Sequence, residues 1–142
     1  MKQALKLSAV LSCLAMMALP ATAQTKTNLI DHSADSLIDA EAAKAVLSEN
    51  IPAKVWKIYP ASKYTFLSQV EGGITTSGQC VVTARVMLLP LTPTVRAVLF
   101  RPQKTATAFD ALAGSSAAQC KTLARDKLKE ATNAVVSALV KS

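Results

Sequence analysis

The chain has 142 residues, of which 51% are hydrophobic and 18% are charged, with sixteen Lys and Arg against nine Asp and Glu. This balance excludes a low-complexity or disordered chain, and the length allows one domain of ordinary size. The longest apolar run is too short to cross a bilayer as a lasting anchor.

The first residues have the pattern of a secretory signal peptide. Two lysines precede an uncharged, mostly apolar stretch from Leu7 to Leu19, and Ala21-Thr22-Ala23 supplies a small-residue end. The pattern predicts a signal peptide over residues 1–23, cleaved after Ala23, and an exported, periplasmic or secreted protein. A retained anchor is disfavoured because thirteen helical residues span about 20 Å of a hydrocarbon core roughly 30 Å thick. Lipoprotein processing at Cys13 would leave the hydrophobic segment too short.

Removal of the signal peptide leaves a net charge of +5 and two cysteines, Cys80 and Cys120. An even pair of cysteines in an exported chain predicts one structural disulfide. A redox motif would need the thiols about two residues apart, and a zinc site would need more ligands near the single histidine, His32. The predicted bridge closes a loop that the chain-entropy model values at roughly 4 kcal/mol.

The N-terminal part of the processed chain is predicted to be helical after a flexible leader. Residues 24–33 are polar and aperiodic, which is typical of a leader. Apolar residues then recur at helical spacing, which predicts a first helix over about 35–50 with Ser33 or Asp35 as its N-cap. Residues 52–59 fit a short second helix after Pro52, but a strand is the alternative because they match neither period well.

Three strands are predicted next. Residues alternate from Tyr64 to Ile74, which indicates a long strand, and Cys80 to Leu89 is the nearly continuous apolar run of a central strand. Alternation from Val95 to Phe100 predicts a third strand, with Lys104 to Phe109 continuing it or forming a fourth. Pro102 places that strand at an edge or a bulge. The expected sheet is an antiparallel meander of three or four strands.

A C-terminal helix completes the predicted fold, a single α+β domain over residues 34–142. Ser116 and Gln119 form a capping box, and an apolar stripe that includes Cys120 packs the helix on the sheet. The other sheet face also carries apolar residues. We expect the N-terminal helix to cover that face, and the alternative is self-association or a docked partner.

The sequence holds few groups suited to catalysis. His32 lies in the predicted leader, the carboxylates follow one helix and its leader, and there is no glycine-rich phosphate loop. We therefore expect no enzyme activity, no cofactor and no bound metal. A small periplasmic hydrolase with an unrecognised site is the alternative.

Charge is distributed unevenly and suggests a binding role. Residues 51–109 carry seven Lys and Arg against one acid, whereas residues 24–50 carry two against five. The basic half could attract an anionic envelope component or an acidic protein. Nucleic acid is a poor partner because aromatic residues are not interleaved with the cations. The candidate binding residues are Lys57, Arg85, Arg96, Arg101 and Lys104.

Arg85 and Arg96 have the same strand parity, so they are expected on one sheet face. The predicted function is that of a small exported binding protein, an envelope accessory or an inhibitor or immunity-type factor, which acts through surface contacts. A homo-oligomer is compatible with this function.

Overall fold

The computed structural model describes residues 26–141, so the predicted signal peptide and Cys13 lie outside the described residues. The sheet has four strands in the order β1-β2-β3-β4, with helices before and after its three long strands. The predicted α+β class is confirmed. The elements are β1 (Leu29–Asp31), α1 (Ala40–Asn50), α2 (Ala53–Ile58), β2 (Tyr64–Ile74), β3 (Cys80–Pro90), β4 (Lys104–Leu112) and α3 (Ala117–Val140).

The sheet is mixed and not purely antiparallel. β2, β3 and β4 form an antiparallel meander, but β1 pairs with β2 in parallel, with Leu29 opposite Phe66. The flexible leader expected at 24–33 is therefore wrong for the residues of β1. A three-residue strand is too short to show a period, and polar groups fasten it. The carboxylate of Asp31 accepts 2.6 Å hydrogen bonds from the hydroxyls of Ser33 and Ser68.

The predicted strand from Val95 to Phe100 is also wrong. Residues 91–103 form a loop between β3 and β4, here called the β3–β4 loop, and the third strand of the meander begins at Lys104. The loop instead folds back on itself, with Leu91 bridged to Val98. Arg96 turns the chain there with a φ of 53°, in the left-handed region.

The helices begin where side chains cap them. α1 starts at Ala40 and not near residue 35, because the carboxylate of Asp39, rather than Ser33 or Asp35, accepts a 2.8 Å hydrogen bond from the backbone N–H of Ala42. Residues 53–58 are helical, which settles the alternative between helix and strand. At α3 the predicted capping box between Ser116 and Gln119 is confirmed.

The main core lies between one sheet face and the helices. α1 and α3 pack against each other and contribute to the same buried cluster, so the expectation that the N-terminal helix covers the second face is wrong. Because β1 and β2 are parallel neighbours, the chain between them must cross over one face of the sheet. That face is the one covered by α3. The fully buried large side chains on these elements include Leu47, Phe66, Val70, Val82, Val86, Leu88, Leu128 and Val135.

A smaller cluster lies on the second face, near the end where β2 begins. It consists of Leu67, Met87 and Leu89, against which Ile30 and Val98 pack. The β3–β4 loop and β1 therefore cover this apolar end of the second face, where the sequence-based prediction placed the N-terminal helix. Further along the same face, Arg85 on β3 and Phe109 on β4 are exposed.

The predicted disulfide is confirmed. Cys80, the first residue of β3, is bonded to Cys120 in the first turn of α3, with the two Cα atoms 5.6 Å apart. Both residues are buried in the main core. The bridge therefore joins the start of the central strand to the start of the long helix.

Candidate binding surface

The structure brings together three of the five predicted binding residues. Arg96 and Arg101 lie in the β3–β4 loop, and Lys104 is the first residue of β4. Lys57 lies in the last turn of α2. Arg85 lies in the middle of β3, opposite Gln69 and Thr107. The expectation that Arg85 and Arg96 share a sheet face is wrong, because Arg96 is not in a strand.

A fourth cation belongs to the same region. Lys63 directly precedes β2, and its carbonyl oxygen accepts a 2.8 Å hydrogen bond from the backbone N–H of Leu91. Lys63 belongs to the basic half of the sequence but is not among the five predicted binding residues, because only strand pairing places it beside the loop. We call the group of Lys63, Arg96, Arg101 and Lys104 the basic sheet end. All four residues are exposed.

The basic sheet end forms because the strand termini meet there. Tyr64 at the start of β2 pairs with Pro90 at the end of β3, and Leu88 pairs with Lys104 at the start of β4. The segments at this end, residues 60–66 and 88–104, contain no Asp or Glu. Glu71 lies towards the opposite end of β2, opposite Thr83. Cations without neighbouring acids produce a positive potential that attracts anions.

Hydrogen bonds hold the β3–β4 loop in one shape. The backbone N–H of Ala97 donates to the hydroxyl of Thr92 at 2.9 Å, and the N–H of Thr92 donates to the carbonyl of Ala97 at 2.8 Å. The guanidinium of Arg96 donates from Nη2 to the carbonyl oxygen of Ala61 at 3.2 Å, which ties the loop to the segment before β2. The loop thus presents its exposed side chains in a defined arrangement.

An open cleft of about 500 Å³ lies beside the loop. Tyr64, Pro90, Leu91 and Pro93 supply apolar walls, and Lys63 supplies a positive charge at its margin. This combination suits a ligand that has both an apolar part and an anionic group.

A second cleft, of about 350 Å³, has a different character. It lies between the segment before α1 and the first half of α3, and Asp35, Asp39, Lys121 and Arg125 line it. Charges of both signs occur there in equal number, so its field is weaker than that of the basic sheet end. The Asp39 carboxylate is already engaged as the N-cap of α1.

His32, the single histidine of the sequence, is exposed beside β1. Its backbone N–H donates to the carbonyl of Ser68 at 2.9 Å. Between residues 26 and 141, no Ser, Thr or Cys side chain is hydrogen-bonded to its ring, and the neighbouring Asp31 is occupied by Ser33 and Ser68. Over that same range, no group of three or more His, Cys, Asp or Glu is placed to hold a metal ion.

An ion-pair network joins β4 to α3 at the far end of the sheet. The ammonium of Lys127 lies 3.2 Å from the carboxylate of Asp110 and 2.7 Å from that of Glu130. A hydrogen bond from the Ala111 backbone N–H, and then the hydrogen bond and charge of Lys127, lower the pKa of Asp110 from its ordinary value. Hydrogen bonds to Glu130 and then to Asp110 raise the pKa of Lys127. We interpret the network as a structural contact between β4 and α3.

No family model and no curated protein matches the chain. Solved structures that resemble it include the PelC dodecamer from Paraburkholderia phytofirmans, with a TM-score of 0.44, 13% identity, and coverage of 77% of this chain and 86% of that one. A candidate lipoprotein from Caulobacter crescentus CB15 has a TM-score of 0.37, 10% identity, and coverage of 80% and 85%. At these scores the likenesses carry no inference about function. In the part of the chain that the structure describes, no helix is long and apolar enough to cross a membrane.

Proposed function

We propose that this protein is a small exported binding protein that acts without catalysis and attaches to an anionic component of the cell envelope. The observation that carries the proposal is the basic sheet end, where four exposed cations gather on segments without an acid. The signal-peptide pattern of residues 1–23 supports export, and the Cys80–Cys120 bridge suits an oxidising compartment.

The arrangement supports binding because the strand pairing and the loop hydrogen bonds fix the backbone positions of the four cations before any partner arrives. Less conformational freedom is then lost on association, which favours affinity. The exposed position of the four residues allows close approach of a large anionic surface. Such attraction is screened by salt, with a Debye length of about 8 Å at 0.15 M ionic strength.

The experiment compares two triple charge reversals of the exported protein. Lys63→Glu, Arg101→Glu and Lys104→Glu reverse the basic sheet end but spare Arg96 and its bond to Ala61. The matched control, Lys121→Glu, Lys129→Glu and Lys141→Glu, makes the same change in net charge on exposed positions of α3 and its C-cap. Co-sedimentation with lipopolysaccharide, with peptidoglycan sacculi and with vesicles of phosphatidylglycerol measures binding at low and high salt.

We expect at least one of these anionic components to bind the protein. Both added salt and the triple reversal at the basic sheet end should weaken that binding. The control on α3 should bind nearly as well as the natural protein. Absence of binding to all three components would overturn the proposal, as would equal losses in the two variants. Turnover of an envelope substrate by the pure protein would overturn the non-catalytic part.

A further inference from the structure

The β3–β4 loop carries exposed apolar side chains among the cations of the basic sheet end. Val95 is 76% exposed and Phe100 is 69% exposed, and Leu99 between them is also exposed. Exposed residues of this size are unusual when several lie on one short loop, and such patches mark interaction sites. The loop hydrogen bonds described above make this exposure a feature of an ordered segment.

The loop divides its apolar residues between two roles. Val98 turns inward and packs on the second-face cluster of Leu67, Met87 and Leu89, so it anchors the loop to the sheet. Val95 and Phe100, on either side of it, face solvent. Packing against this cluster therefore accounts for the apolar side chain of Val98. Neither Val95 nor Phe100 belongs to a buried cluster of the described chain.

The surrounding charge indicates which partner fits. Arg96 directly follows Val95 and Arg101 directly follows Phe100, and Lys63 and Lys104 lie at the strand termini beside the loop. Apolar side chains that enter the acyl boundary, together with cations at the headgroup level, are the pattern of a peripheral contact with anionic lipid. Val95 and Phe100 thus add an apolar component to the positive charge of this surface.

The cleft beside the loop adds a second element of the same chemistry. Its walls at Tyr64, Leu91 and Pro93 are apolar, and Lys63 lies at its margin. The N-terminal end of the described chain also lies near this cleft. The side-chain amide of Asn28 donates a 3.4 Å hydrogen bond to the carbonyl oxygen of Ala61, which also accepts a hydrogen bond from Arg96. Lys26, two residues earlier, is exposed and adds positive charge near this end.

From these observations we infer that the β3–β4 loop docks on an anionic phospholipid bilayer, with Val95, Leu99 and Phe100 entering the headgroup boundary and Lys63, Arg96, Arg101 and Lys104 contacting phosphates. The inference rests on the proposed function and names its partner class. One Lys or Arg near an anionic surface is worth about 1 kcal/mol, or about fivefold in binding.

The test uses vesicles of phosphatidylglycerol mixed with phosphatidylcholine, and of phosphatidylcholine alone. The double variant Val95→Ser and Phe100→Ser removes the exposed apolar groups without touching the anchor Val98. The matched control is Phe109→Ser and Leu112→Ser, which removes exposed apolar groups of β4 near the opposite end of the sheet. We expect the first variant to lose about tenfold or more in partitioning to phosphatidylglycerol vesicles and the control to lose less than twofold.

A depth measurement separates insertion from charge attraction alone. Phe100→Trp places an indole at the loop, against a background from Trp56, which is only 6% exposed. On phosphatidylglycerol vesicles its emission should shift to shorter wavelength and be quenched by brominated acyl chains, whereas emission of the natural protein should not respond.

The possible outcomes separate this inference from the proposed function. Salt-sensitive binding to sacculi or lipopolysaccharide with no partitioning to phosphatidylglycerol vesicles would overturn the lipid assignment and leave the proposed function standing. Vesicle binding that is unaffected by Val95→Ser and Phe100→Ser, or that leaves Phe100→Trp unquenched, would overturn loop insertion. Failure to bind any of the three components would overturn both.

Discussion

The ammonium of Lys127 on α3 lies 3.2 Å from the carboxylate of Asp110 on β4. The pair joins the last strand to the long helix, and the Lys127 side chain is only 16% exposed. Because Asp110 is ionised more readily in the folded state, its contribution to stability is present above about pH 3.8 and is lost as pH falls through its lowered pKa. Lys127 contributes below pH 10.5, and its contribution is lost as pH rises through its raised pKa.

We therefore predict that Asp110→Asn flattens the acid side of the stability profile. Urea unfolding at several pH values between 7 and 3 should show a smaller decline in the free energy of unfolding for this variant than for the natural protein. Lys127→Met should keep part of the decline, because the hydrogen bond from the Ala111 backbone to Asp110 remains. Parallel curves for all three proteins would contradict the assignment.

The disulfide supplies a second prediction. Cys80→Ala with Cys120→Ala should lower the free energy of unfolding by roughly 2 to 5 kcal/mol, because the unfolded chain regains the freedom that the bridge removes. Ala is preferred to Ser because both positions are buried and a hydroxyl would need a partner. Denaturant unfolding with and without reductant measures the change. If alkylation and intact mass reveal two free thiols in the native exported protein, the pairing is wrong.

The glycine pair in β2 supplies a third prediction. Gly72 has a φ of 129°, and a Cβ there would overlap the carbonyl oxygen of Val81 on β3. Gly73 has a φ of 149° but has no heavy atom within 4 Å of such a Cβ. Strained backbone costs about 1–3 kcal/mol at either position, and the overlap adds to the cost at Gly72. Thermal unfolding should show Gly72→Ala to be the more destabilising, and the reverse order would contradict this account.

Processing of the N-terminus supplies a fourth prediction. The small residues Ala21 and Ala23 should direct cleavage before Gln24, so the intact mass of the exported protein should correspond to residues 24–142. Replacement of Ala23 by Asp should block cleavage at this position. A product that retains Leu7 to Leu19, or one lipidated at Cys13, would contradict the prediction and would indicate an anchored protein.

Sequence patterns predicted the long regular elements well because each has a period that repeats several times. The alternation in β2, the apolar run of β3 and the stripe of α3 all correspond to elements of the structure. The predicted strand at Val95 to Phe100 failed because six residues alternate equally well in a loop that folds back on itself. β1 was missed because three residues establish no period, and hydrogen bonds of Asp31 with Ser33 and Ser68 hold it.

The candidate binding surface, too, was predicted from the sequence only in part. Composition identified the basic half, but it could not tell that Arg85 lies in the middle of the sheet whereas Arg96, Arg101 and Lys104 lie together at one end. That separation depends on register, because Leu88 pairs with Lys104 and Arg85 pairs with Thr107.

By itself, the sequence determined the α+β class, the disulfide partners and the excess of positive charge, since local periodicity, an even pair of cysteines and residue counts need no knowledge of distant contacts. Only the tertiary structure decided that both α1 and α3 cover one face and that Val98 folds the β3–β4 loop over the end of the other. The parallel pairing of β1 with β2 forces the crossover to one side, and this pairing joins residues far apart in the chain. Long-range pairing of this kind leaves no local pattern in the sequence, so the exposure of Phe100 and the position of Lys63 beside the loop emerged only from the folded chain.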